Sequence, residues 1–114
     1  MTSQQKMRYS IKVEPTAQRD IQLAYDWGKE TWGVKQANKW SRELAKSIRS
    51  LGEFPERYPL ALENDEFKYE VRQMTFQRYR VLYTIKNEDV EVLHVRGAYI
   101  GDQETEEERY ENEN

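Results

Sequence analysis

The sequence predicts an α+β fold with the element order β-α-α-β-β-β, in which a helical hairpin packs on one face of a small antiparallel sheet. Three observations predict it. Apolar residues alternate near the start of the chain, recur with a helical period of about 3.6 over residues 17–51, and alternate again in three short runs over residues 68–96. Only short turns separate those last runs, which is typical of antiparallel hairpins. A chain of 114 residues with 37% hydrophobic residues has room for one domain with a thin core.

The first element is a strand at residues 8–13, in which every second side chain is apolar. Pro15 favours the first turn of a helix, since it has no amide hydrogen to lose there, and Thr16 is a candidate cap. We expect the strand to join an edge of the sheet.

Two helices are expected next, at about residues 17–32 and 35–51, with Gly33 ending the first of them. The second has the clearer apolar face, formed by Ala37, Trp40, Leu44, Ile48 and Leu51. Gly52 is the residue expected just past its end. So short a joint predicts that the two helices form an antiparallel hairpin.

Three strands are expected at residues 68–76, 79–86 and 90–96, after a loop at residues 54–67. Bulky side chains occupy both alternating sets of the middle strand, so we expect both of its faces to be partly covered. The sheet face opposite the helices is expected to remain available for a partner.

Charge divides the chain into a domain at residues 1–100 and a tail at residues 101–114. The tail has seven acids and one base, a net charge of −6, whereas residues 1–100 have 17 bases and 14 acids, a net charge of +3. With almost no apolar content, the tail is expected to be disordered or loosely helical.

Composition excludes several classes of protein. The chain has no cysteine, which excludes a disulfide scaffold, a Cys-ligated zinc site and a thiol nucleophile. It has no run of about 18 apolar residues and no apolar leader, so we expect a cytoplasmic protein without a membrane span. It has no nucleotide-binding glycine loop or hydrolase motif, and we expect no cofactor. The acids Glu63, Asp65 and Glu66 are interpreted as a solvated loop rather than a metal site.

The basic residues of the last three strands are the candidate binding residues. They are Arg72, Arg78, Arg80 and Arg96. The guanidinium group binds phosphate or carboxylate through two parallel hydrogen bonds. Residues 71–87 contain no acid, so Arg80 either faces a wet groove or finds a partner elsewhere. The alternative for Arg72 and Arg80 is structural, a cross-strand pair with Glu70 or Glu91.

Two further residues have side chains suited to acid–base chemistry. His94 is predicted on the last strand in the same alternating set as Arg96, and imidazole titrates near neutral pH. A lone strand histidine is more often packed or hydrogen-bonded. Tyr99 can stack on a base or donate a proton. The tryptophans are assigned to the helix seams, as core or as partner-binding surface.

Several short segments resemble, in order, the RelE/ParE toxin superfamily over about residues 8–100. They are Ile11-Lys12-Val13-Glu14-Pro15-Thr16-Ala17 with Asp20-Ile21, Leu51 and Pro55, Val71-Arg72, Tyr79-Arg80-Val81-Leu82-Tyr83, and Val92-Leu93-His94-Val95-Arg96. The fold of that superfamily has the element order predicted above.

The resemblance implies a toxin of a bacterial type II toxin–antitoxin module, held inactive by a cognate antitoxin. One branch, RelE-like, cleaves messenger RNA on the ribosome, and the other, ParE-like, poisons DNA gyrase. For the ribonuclease branch the resemblance implies that Arg80 stabilises the phosphate charge and that His94 or Tyr99 moves protons. For either branch, the four strand arginines are the expected contacts to the target or to the antitoxin.

Departures from the family pattern favour the ParE-like branch. Members often end in His-Val-Arg-His-Gly-Ala-Arg, whereas this chain has His94-Val95-Arg96-Gly97-Ala98-Tyr99, with one histidine fewer and Tyr99 in place of arginine. Residues 60–67 are acidic, where the ribonuclease branch has lysines. The first alternative is the ribosome-dependent endoribonuclease, and the second is a degenerate, non-toxic binding module.

Two hypotheses concern what covers the arginines. In one, the acidic tail occupies the arginine-lined sheet face as a mimic of nucleic acid or of antitoxin. In the other, the antitoxin places an amphipathic segment over the tryptophan or tyrosine surface of the helices and over that same face.

Overall fold

The computed structural model describes residues 8–97. Its helices and strands are β1 (Ser10–Val13), α1 (Pro15–Trp32), α2 (Val34–Arg49), β2 (Arg72–Phe76), β3 (Tyr79–Lys86) and β4 (Asp89–Gly97). Short 3-10 turns at Ser50–Gly52, Pro55–Arg57 and Asn64–Glu66 lie between α2 and β2. The predicted α+β class and element order are confirmed. Tyr99 and the acidic tail lie outside the described residues.

The sheet has the strand order β1-β4-β3-β2 and is mixed. The predicted antiparallel meander of β2, β3 and β4 is confirmed, and β1 joins the edge as expected. A wholly antiparallel sheet is wrong, however, because β1 pairs with β4 in parallel. The helical hairpin explains this, since α2 returns the chain to the start of β1, where the Tyr9 amide donates to the Gly52 carbonyl at 2.8 Å. Strand β2 can therefore run in the direction of β1, and the meander gives β4 that direction too.

Helix α1 covers the part of the β4 edge that β1 leaves open. The Thr16 hydroxyl donates to the Leu93 carbonyl at 2.7 Å, and the Val95 amide donates to the Asp20 carboxylate at 2.9 Å. The prediction that Thr16 caps α1 is therefore wrong. The cap position belongs to Glu14, which makes no side-chain capping bond. Thr16 and Asp20, one helical turn apart, instead satisfy backbone groups of an otherwise open strand edge.

Glycines mark both ends of α2, but only one does so as expected. Gly33 separates α1 from α2, as expected, and has φ of 99°, a conformation that glycine adopts without steric cost. Helix α2 ends at Arg49 and tightens into the 3-10 turn, so the prediction that it reaches Leu51 with Gly52 as its terminating residue is wrong. At Gly52 the requirement is space, because a Cβ atom would lie 3.1 Å from the Tyr9 carbonyl oxygen.

Apolar side chains pack on both faces of the sheet. The larger core lies between the sheet and the helices and includes Leu44, Val81 and Tyr83. A smaller core on the opposite face contains Ala61, Val71 and Leu82, with Phe67 and Leu93 against it. The prediction that β3 is covered on both faces is confirmed. The expectation that the far face stays open is wrong over Leu82, because the loop before β2 packs there.

Candidate functional site

Two of the predicted arginines lie side by side on neighbouring strands, on the same face of the sheet. Arg80 and Arg96 are register partners on β3 and β4, on the face opposite the helices. Glu63, from the loop before β2, lies between them. Arg80 Nη1 and Nη2 donate to Glu63 Oε1 and Oε2 at 2.8 and 2.6 Å, and Arg96 Nη1 donates to Oε2 at 3.1 Å. We call Glu63, Arg80 and Arg96 the arginine clamp.

The arginine clamp is largely shielded from water and firmly ionised. The side chain of Glu63 is 11% exposed, that of Arg80 is 17% exposed and that of Arg96 is 40% exposed. Hydrogen bonds from Arg80 are the main cause that lowers the pKa of Glu63 from 4.5 to about 2, against the opposing effect of its burial. The carboxylate therefore remains charged at neutral pH and offsets one of the two positive charges.

Hydrogen bonds to β2 and to Val71, the residue before it, hold the loop that carries Glu63. The Ala61 amide donates to the Val71 carbonyl at 2.7 Å, and the Gln73 amide donates to the Pro59 carbonyl at 3.0 Å. Asn64 Oδ1 accepts from the Val71 amide at 2.8 Å. The carboxylate is thus positioned by ordered backbone on both sides rather than by a free loop.

The other two arginines lie apart from the clamp. Arg72 donates to the carbonyls of Glu56 and Tyr58 at 3.2 and 2.6 Å and pairs with Glu70 at 3.5 Å. Its role is therefore structural, with one of the two acids considered for it, but that acid precedes it in the chain and does not lie across a strand pair as predicted. Arg78 is exposed at the turn between β2 and β3. The four arginines therefore do not form one surface.

His94 is hydrogen-bonded, as is more common for a lone strand histidine. Its Nδ1 lies 3.2 Å from Asp20 Oδ2, the oxygen that also accepts from the Val95 amide. A bulge leaves Leu93 unpaired, and beyond it the register pairs His94 with Leu82 and Arg96 with Arg80. The imidazole therefore lies at the β4 edge of the same sheet face as the arginine clamp.

The acidic loop residues do not form a metal site. Glu63 pairs with Arg80 and Arg96, whereas Asp65 and Glu66 are exposed. Across residues 8–97, no three histidine, cysteine or acidic side chains converge as metal ligands. The role of Glu63 was missed from the sequence, although one signal existed: residues 71–87 lack acids, and residues 63–66 are the nearest acidic stretch before them.

A second feature extends from the middle of α1 to the turn between the two helices. Leu23, Trp27, Trp32 and Val34 are 48–67% exposed, and we call them the tip patch. The rings of Trp27 and Trp32 meet edge to face with centroids 6.4 Å apart. Beside them is a groove of about 580 Å³ between the hairpin and the β2–β3 turn. An exposed apolar patch of this kind is typical of a partner surface.

Trp40 forms the floor of that groove. Its ring centroid lies 5.3 Å from that of Tyr79 and 6.3 Å from that of Phe76. Among the described residues its buried Nε1 atom has no hydrogen-bond partner. Burial raises the pKa of Tyr79. Trp40 is thus partly buried and packs against the core, whereas Trp27 and Trp32 are surface residues. The sequence left both assignments open.

Comparisons with known proteins agree with this architecture. A family model described as the ParE toxin of type II toxin–antitoxin system, parDE, matches residues 11–98. Among solved structures, a chain of a "Chromosomal ParDE TA system from P. aeruginosa" is similar, with a TM-score of 0.68 and 17% identity over 80% of this chain and 97% of that chain. At that identity the likeness shows a shared fold. No curated protein sequence matches the chain. In residues 8–97, no helix is long and apolar enough to cross a membrane.

Proposed function

The chain belongs to the family of ParE toxins of type II toxin–antitoxin systems, and on that premise we propose that it acts by binding and inhibiting DNA gyrase and that a cognate antitoxin neutralises it. The observation that carries the proposal is the arginine clamp. It leaves the sheet face better suited to binding than to catalysis. A gyrase target places its action in the cytoplasm.

The alternative chemistry, RNA cleavage, needs a base for the 2′-hydroxyl and a cation for the charge that develops on the phosphate. Both terminal nitrogens of Arg80 donate to Glu63, one to each carboxylate oxygen. A phosphate approaching Arg80 would have to displace Glu63, an anion whose pKa is held at about 2. The arrangement therefore disfavours a ribonuclease.

One observation favours the ribonuclease as the second candidate. His94, oriented by Asp20, lies on the same sheet face as Arg80 and Arg96. A carboxylate that orients an imidazole is a common feature of acid–base sites. This candidate requires Glu63 to leave the clamp when RNA binds.

The deciding experiment follows thymidine and amino-acid incorporation side by side after the full chain is expressed without antitoxin. We expect thymidine incorporation to fall first and the purified chain to inhibit supercoiling by gyrase. If amino-acid incorporation falls first, and if Arg80→Ala but not Lys68→Ala abolishes cleavage of ribosome-bound messenger RNA, the ribonuclease replaces gyrase inhibition. If neither falls while the protein stays soluble, the chain is a non-toxic binding module.

For the antitoxin, we propose that an amphipathic segment covers the tip patch. The patch offers two exposed tryptophans, the residue type most enriched among those that dominate binding energy. The arginine clamp contributes less, because Glu63 already neutralises part of its charge. Joint substitution of Trp27 and Trp32 by alanine is expected to weaken antitoxin binding at least tenfold. Leu62→Ala, which removes an 84% exposed side chain from the loop before β2, is the matched control. Equal affinities for the two variants would contradict the assignment.

A further inference from the structure

Helix α2 carries a stripe of exposed cations along its outer side. They are Lys35, Lys39, Arg42, Lys46 and Arg49. Steps of four, three, four and three residues align them on one side of a helix. The only acid of α2 is Glu43, which gives the helix a net charge of +4. We call the five cations the basic stripe.

The basic stripe differs from the arginine clamp in that no acid is ion-paired with it, although Glu43 lies beside it on the same helix. Within residues 8–97, none of its five cations has an acidic side chain at ion-pairing distance. In the clamp, by contrast, Glu63 contacts both Arg80 and Arg96. The stripe therefore presents the more accessible positive charge to an anionic partner.

The chain itself continues from a point beside this stripe. Strand β4 ends at Gly97, which lines the same groove as Lys39 and Arg78. Residues 98–114 follow, and seven of the last thirteen are acids. At about 3.3 Å per extended residue, residues 102–113 can span about 40 Å, whereas α2 with its 16 residues is about 24 Å long.

We propose that the acidic segment at residues 102–113 lies along the basic stripe of its own α2. Each charge pair at the surface is weak and is screened by salt. The covalent tether compensates, because it holds the segment at an effective concentration near the millimolar range. The contact would screen α2 from other polyanions, nucleic acids among them. The proposal does not depend on which target the protein inhibits.

The absence of cysteine allows a direct test on the full chain. A spin label is attached through Asn112→Cys, 15 residues beyond Gly97, so that the tether alone does not fix its position. Amide resonances of Val34–Arg49 are expected to lose at least half their intensity, and about 0.5 M salt should restore them. The triple change K39E, R42E and K46E should abolish the effect. The control K68E with K86E, which reverses two exposed lysines outside α2, should not.

Three outcomes would overturn the proposal. Signal loss centred on Arg80 and Arg96 would place the segment on the arginine clamp. An even or absent loss across the described residues would show that it has no preferred surface. Loss in a mixture of spin-labelled unenriched chain and unlabelled ¹⁵N-enriched chain would show that the segment contacts a second copy instead.

Discussion

Glu63 is the residue on which the chemistry of the arginine face depends. It joins the loop before β2 to the last two strands through three hydrogen bonds, at 2.6, 2.8 and 3.1 Å. Arg80 also donates to Gln73 at 3.0 Å, so the clamp includes a side chain of β2. Breaking an ion pair in which one partner is buried leaves an uncompensated charge, which costs far more than an exposed pair contributes.

Glu63→Gln is therefore expected to lower the free energy of unfolding by about 2–3 kcal/mol, because two guanidinium groups then face each other without a counter-charge. Urea denaturation of this variant, of Arg80→Ala and of the double variant should give a coupling energy of about 1–3 kcal/mol. Glu66→Gln removes an exposed acid of the same loop and should change stability by less than about 0.5 kcal/mol. A coupling energy near zero would contradict the geometry.

The lowered pKa of Glu63 also predicts how stability changes in acid. The pKa is about 2 in the folded chain against 4.5 for the free group, so the contribution is complete above about pH 4.5 and is lost as the pH falls toward 2. It amounts to at most about 3 kcal/mol. The stability difference between wild type and Glu63→Gln, measured by urea unfolding between pH 5.5 and 2.5, should shrink in that window. A difference that stays constant would show that the charge of Glu63 is not responsible.

At the scale of the elements, the helical hairpin contains two glycines with different roles: Gly33 has a positive φ that favours glycine, whereas Gly28 has ordinary helical geometry. Gly33 joins α1 to α2 at φ of 99°, whereas Gly28 lies within α1, and a Cβ atom built there has no atom within 4 Å. The two glycines are five residues apart in the same hairpin, so they form a matched pair for substitution.

Gly33→Ala is expected to destabilise the protein by about 1–3 kcal/mol, because alanine cannot adopt that backbone conformation without strain. Gly28→Ala is expected to stabilise it by about 0.5–1 kcal/mol through the higher helix propensity of alanine. Thermal unfolding followed by circular dichroism measures both changes. Shifts of the same sign would show that backbone conformation at Gly33 does not limit the hairpin.

Local pattern predicted the elements well, and long-range geometry explains what it missed. The bulky side chains in both alternating sets of β3 predicted that both its faces are covered. This could be read locally, because successive side chains of any strand point to opposite faces of the sheet. Local pattern did not predict that β1 would be parallel to β4, since this depends on where α2 returns the chain. Glu70 could be named as a partner of Arg72 because the two residues are only two positions apart in the sequence. The partner of Arg80, by contrast, lies 17 residues earlier, in a loop. Glu63 reaches the arginines only through the tertiary packing of that loop, which no local sequence pattern indicates.

For the molecule as a whole, β3 is the shared wall of two cores. Val81 and Tyr83 are fully buried toward the helices, and Leu82 is fully buried on the opposite face. All three tryptophans lie on the helical hairpin, so their fluorescence reports on the helix side. Because a single strand contributes to both cores, we expect them to unfold together.

Leu82→Ala should therefore shift the urea midpoint seen by tryptophan fluorescence, although Leu82 lies across the sheet from the tryptophans. The expected loss is about 2–4 kcal/mol, typical of a buried leucine. Circular dichroism should give the same midpoint. An unchanged fluorescence midpoint would mean that the loop-side core melts separately from the helices.

The parallel pairing of β1 with β4 has a practical consequence for fusion proteins. Ser10 pairs with Asp89 at one end of β4, and Gly97 lies about 27 Å further along, beside Tyr79 and the groove. A reporter joined ahead of residue 8 would emerge near the β3–β4 turn, away from the tip patch. A reporter joined to the carboxyl terminus follows a segment that begins just after Gly97, which lines the groove. Affinity tags for capturing an antitoxin complex therefore belong at the amino terminus.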